Sequence, residues 1–117
     1  MLETRSFALP VVLASALIFL VACGASLEGD LNALKAKGAS RDEVQEKLSA
    51  KHEMGPGQLM RGEDAKTSLQ NFCNEPVKGA ALLESHQEMV FFSSPKVTVF
   101  AFFDPSGKLV DALTGLP

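Results

Sequence analysis

Apolar and polar positions divide the chain into two kinds of polymer. From Phe7 to Ala22 sixteen residues pass without a charge, whereas Leu27 to Lys51 carries a charge every two or three residues. The apolar run falls short of the roughly 20 residues that a bilayer-spanning helix needs and suits the core of an export signal. Arg5 is its one positive flank, partly offset by Glu3, and Pro10 lies near its start, where a helix tolerates proline best. This pattern predicts a helical signal peptide over residues 1–22, a tether over 23–26 and a small domain over 27–117.

Within the domain, Leu27, Leu31 and Leu34 at i, i+4 and i+7 predict a short first helix, stopped by Gly38 at a left-handed C′ position. Ser40-Arg41-Asp42-Glu43 then reads as a capping box opening a second helix from Arg41 to about Lys51, with Val44 and Leu48 on its apolar face. Residues 54–67, broken by Gly55-Pro56-Gly57 and Gly62, read as a loop. Leu69, Phe72 and Cys73 keep a helical spacing that Pro76 and Gly79 interrupt, so Ser68–Leu83 stays open between helix and irregular chain.

Strand signals begin at Ser85. Met89-Val90-Phe91-Phe92 is stopped by Ser93-Ser94-Pro95, and the next run, Val97 to Phe103, is apolar on both alternations from Val99 onward, the mark of a strand covered on both faces. Asp104-Pro105-Ser106-Gly107 suits a tight turn at every position, and Lys108–Leu113 returns as a strand. The expected fold is α+β: two short N-terminal helices packed on one face of a small three-stranded antiparallel meander.

At the end of the apolar run, Leu20-Val21-Ala22-Cys23 resembles a bacterial lipobox. That resemblance implies cleavage between Ala22 and Cys23, lipidation of the Cys23 thiol and acylation of its new amino group. Two or more chains anchor a protein stably, since each buried methylene contributes about 0.8 kcal/mol. Gly24 stands where aspartate would signal inner-membrane retention, which implies an outer-membrane location on the periplasmic face. The alternative is an uncleaved single-pass inner-membrane protein with a periplasmic domain.

The mature segment is similar in two patches to the SmpA/OmlA-type small outer-membrane lipoproteins, whose fold is called BamE-like. Gly38-Ala39-Ser40 with Val44 matches that family's helix opening, and Val99–Asp104 with Gly107–Val110 matches its closing hairpin. Departures are equally plain: Leu48-Ser49-Ala50-Lys51 replaces the family's Leu-Gly-x-Pro, and the chain has no Trp or Tyr. The resemblance implies a non-enzymatic role supporting outer-membrane protein assembly or integrity, with another envelope protein as partner.

Length and composition narrow the remaining chemistry. A 117-residue chain holds one domain, and a net charge of −3 with pI near 5.3 gives no basic surface for nucleic acid. No spacing marks a catalytic triad or a phosphate loop, so neither catalysis nor a cofactor is expected. His52 beside Glu53, and His86 with Glu88 on one strand face, are too few to hold zinc, which needs three or four ligands. With Cys23 acylated, Cys73 has no intrachain partner; it reads as a small buried hydrophobe, against the alternative of a reactive thiol. Phe100 and Phe102 are the candidate partner-binding residues, core packing being the alternative for strand aromatics. A ligand-binding or inhibitory envelope module is the remaining functional class.

Overall fold

The computed structural model describes residues 26–86 and 88–117. The expected signal peptide, the Ala22–Cys23 cleavage pair and the lipidation site lie outside the described residues. In order, the elements are α1 (Ser26–Ala36), α2 (Arg41–His52), β1 (Gln58–Arg61), α3 (Gly62–Phe72), α4 (Pro76–His86), β2 (Glu88–Ser93), β3 (Thr98–Phe103) and β4 (Leu109–Gly115). One compact unit begins at Leu31, within α1, and runs to Pro117.

Local chemistry explains the first helical pair. Gly38 adopts φ +63°, and the Ala39 amide donates to the Leu34 carbonyl at 3.0 Å, closing α1. The capping box of α2 is complete: Ser40 Oγ accepts from the Glu43 amide at 3.2 Å, and Glu43 Oε1 accepts from the Ser40 amide at 3.1 Å. The helix runs one residue past its expected end and closes on Glu53 in the left-handed region, φ 56°.

The sheet is a four-stranded antiparallel meander in the order β1-β2-β3-β4. Asp104 shapes the β3–β4 turn, its Oδ1 accepting from the amides of Ser106 at 2.9 Å and Lys108 at 3.0 Å. Two successive register pairs place Met60, Met89, Phe91, Phe100, Phe102 and Leu113 on one face. Alternate residues Val90, Phe92, Val99 and Ala101 occupy the other. On that second face lie the α1–α2 pair and the chain leaving it: Leu31, Leu34, Val44, Leu48 and Met54 are buried, and the Gly57 backbone runs directly over Val90 and Phe92.

The first face is where the structure departs from the two-helix, three-strand expectation. It is covered by a second helical hairpin, α3–α4, whose Ala65, Leu69, Cys73 and Leu83 pack with Met89, Phe100, Phe102 and Leu113 in one core cluster. Residues 54–67 are therefore not a loop: β1 forms there by pairing Leu59 with Val90 and Met60 with Met89, and α3 starts at Gly62. Strand does not begin at Ser85 either, because α4 continues to His86. Pro76 opens α4, where its missing amide donor costs nothing. Gly79 permits close helix contact, since a Cβ there would sit 2.7 Å from Leu69 Cδ2. The two residues that suggested a broken helix are the ones that start it and pack it.

β4 is an edge strand, but both of its ends are covered. The Leu109 amide donates to Ala39 O at 2.8 Å, and the Asn74 amide donates to Thr114 O at 3.0 Å. Between them Asp111 accepts a hydrogen bond from Lys35 Nζ of α1 at 3.3 Å and forms an ion pair with Lys78 Nζ of α4 at 3.6 Å, so one carboxylate reaches both helical layers. Both lysines are largely exposed, which limits each pair to about 0–1 kcal/mol.

Two measurements of stability follow. Ser40→Ala should cost about 1 kcal/mol by chemical denaturation, and Phe102→Ala about 3–5 kcal/mol because the site is fully enclosed. Glu43 is held below its ordinary 4.5, first by the Lys37 ammonium and then by the Ser40 amide. Its contribution is thus fully present above pH 4.5 and disappears as pH falls through the lower folded value. The stability gap between wild type and Glu43→Gln should close on that acid limb; a gap that widens there contradicts the pairing.

Candidate functional site

The α3–α4 hairpin leaves a cleft of about 750 Å³ lined by Arg61, Gly62, Lys66, Leu69, Gln70, Pro76, Ala80, Leu83, Glu84 and Glu88. Helical periodicity builds its walls. On α3, Gly62, Lys66 and Gln70 recur every fourth residue, and on α4 so do Pro76, Ala80 and Glu84, giving one stripe on each facing helix. Leu69 and Leu83, buried to 2% and 6% exposure, form the floor and belong to the same cluster as the core. The bottom of the cleft is thus the top of the core and is fixed by its packing.

Charge is unevenly placed along it. Because α3 and α4 run antiparallel, the start of one lies beside the end of the other, and there the chain enters from β1 and leaves to β2. That end carries Arg61, Lys66, Glu84 and Glu88. Arg61 and Glu88 are cross-strand partners and close on each other, Nη2 to Oε2 at 2.8 Å. Lys66 pairs along its own helix with Glu63 at 3.8 Å, a long contact between exposed groups. Toward the hairpin turn the lining becomes Gln70, Pro76 and Ala80, without charge. The arrangement offers an apolar trough with both signs of charge at one mouth, which suits non-covalent binding.

The residues singled out from sequence fall elsewhere. Ala22 and Cys23 lie outside the described residues. Phe100 and Phe102 are both at 0% exposure, facing α3 and α4, so they cannot be the docking surface expected of them. The physical reason is the second helical layer, which covers the face they project from. Phe91, partly exposed, packs in a tilted arrangement against Phe100, centroids 5.2 Å apart, and Phe72, 6.4 Å, carrying the aromatic row outward to the end of α3. His52 ends α2 and His86 ends α4; His86 and Glu88 therefore do not share a strand face. Among the described residues no group of three or more His, Cys, Asp or Glu is placed to hold a metal.

Cys73 caps the C-terminus of α3, its amide donating to Leu69 O at 3.0 Å, and its side chain belongs to the core cluster. Burial pushes its thiol up from the ordinary value, and the nearby Glu75 carboxylate adds to this, while a hydrogen bond from the Glu75 backbone opposes it. A protonated, enclosed thiol is a poor nucleophile. Lys66, Gln70, Ala80 and Glu84 were not singled out from sequence. Their only signal is the every-fourth spacing, which means nothing until both segments are known to be helices.

Cys73 gives this packing a direct readout. A thiol reagent at neutral pH should label Cys73 in the folded protein at least about a hundredfold more slowly than in denaturant, since labelling requires the core to open. Equal rates would show that the α3–α4 layer is not closed on the sheet. No protein-family model, curated protein or solved structure matches this chain.

Proposed function

We propose that this chain is a lipid-anchored lipoprotein of the bacterial cell envelope whose domain works by non-covalent binding in the α3–α4 cleft. The observation that carries the binding reading is the cleft itself: about 750 Å³, an apolar floor locked into the core and charges of both signs at one end. That volume lies within the range of ordinary ligand sites. The anchoring reading rests on the uncharged run ending in Leu20-Val21-Ala22-Cys23. Among the described residues, no helix is long and apolar enough to cross a membrane. Outer-membrane placement rests on Gly24 after the cysteine, and a part in outer-membrane assembly rests on two patches of resemblance, around Gly38–Val44 and Val99–Val110.

Two experiments divide the proposal. Metabolic labelling with a fatty acid should mark the wild-type protein, while Cys23→Ser should accumulate as unlabelled precursor of higher mass. A membrane segment that is never cleaved would be indifferent to that change, and such a result overturns the anchor. Separately, a photocrosslinking residue at Ala80, on the cleft wall, should capture an envelope component in intact cells, and one at Lys47 on α2 should not. Capture from Lys47 alone would place binding on the other helical layer and overturn the cleft.

A further inference from the structure

We infer that the cleft takes a short peptide segment that presents one acidic and one basic side chain beside apolar ones. This deepens, and rests on, the reading of the domain as a binding module. The cleft's two walls carry opposite charge: Lys66, in a long contact with Glu63, stands on α3 and Glu84 on α4. Lys66 is 62% exposed and its contact with Glu63 is long, so it is open to a second acceptor. Arg61 and Glu88, by contrast, pair closely with each other, at 2.8 Å, at the sheet end of the cleft.

A ligand of one sign would gain one wall and be repelled by the other. A wholly apolar ligand would fit Leu69, Ala80 and Leu83 but leave the opposite charges of Lys66 and Glu84 unused. A small ion would leave the apolar trough toward Pro76 unfilled. A segment with an acid opposite Lys66, a base opposite Glu84 and apolar side chains continuing over Ala80 satisfies all three constraints at once. Gln70, with both a donor and an acceptor on its side-chain amide, stands on the α3 wall where it can meet the backbone of such a segment. A trough of about 750 Å³ has room for a segment of a few residues.

The test uses the full chain in detergent micelles and a fluorescent blocked tetrapeptide of one glutamate, one lysine and two leucines, read by anisotropy. Binding should weaken about tenfold or more in Lys66→Glu and in Glu84→Lys. The losses should be sign-specific: Lys66→Glu should prefer a probe with two lysines, and Glu84→Lys one with two glutamates. Ala80→Phe, which fills the trough, should abolish binding of every probe, with an unchanged melting temperature confirming that it folds. The charge variants alter exposed residues and keep the test valid if Ala80→Phe does not fold. Failure of the mixed-charge probe to bind overturns the inference, as does equal binding of a probe with four leucines. If Ala80 still captures a partner in cells in that case, the cleft remains a binding site and only the ligand class falls.

Discussion

A strand with no wet face dictates the architecture. In β3, Thr98, Val99, Phe100, Ala101 and Phe102 are all at 1% exposure or less. Antiparallel sheets commonly keep one face in water, and a strand buried on both faces is the habit of parallel sheets layered by helices. Here the same result is reached by a meander with a helical hairpin on each side. Each enclosed phenylalanine contributes about 1.5–3 kcal/mol through burial, so Phe100 and Phe102 demand a cover on one face as firmly as Val99 and Ala101 do on the other. The helices are where they are because β3 leaves neither face to solvent.

The cleft follows from how one of those covers is made. α3 and α4 are short, eleven residues each, and meet closely where Gly79 abuts Leu69. They enter and leave at the β1–β2 end of the sheet, and the cleft lies between them there. Leu69 and Leu83 serve the core below and the cleft above, which ties the shape of the site to the stability of the fold. Cys73, at the turn end of α3, sits in the same cluster and is kept protonated by burial. The opposite layer, α1–α2, is held by backbone contacts at Ala39 and by Asp111, whose carboxylate also reaches α4.

Where local chemistry decides structure, it is legible in the residues. Gly38, the Ser40–Glu43 box and the Asp104–Gly107 turn each form as their side chains require, because each is a contest settled within four or five residues. The middle of the chain is not legible, for equally physical reasons. α3 has no side-chain cap at Arg61 and begins on a glycine at φ +62°; α4 begins on a proline and carries a glycine where it packs. β1 contains no β-branched residue and exists because β2 pairs with it. These elements are fixed by tertiary contact, which overrides weak local preference. One clue does lie in the sequence: the doubly apolar run from Val99 to Phe103 calls for two covering layers, and two helices on one face cannot supply them. Without the second layer, Phe100 and Phe102 read as a docking surface, and the residues of the cleft go unremarked.

Hydrogen exchange resolved by residue, on the full chain in detergent, tests the two-sided sandwich most directly. Amides of β3 should exchange slowest, and those of α3 and α4 around Leu69 and Leu83 should be protected alongside α2, because both layers close on one strand. Exchange at unstructured-chain rates through residues 58–86, with α2 and the β2–β4 hairpins still protected, would contradict it. That outcome would return the protein to two helices on three strands, without a second layer and without a cleft.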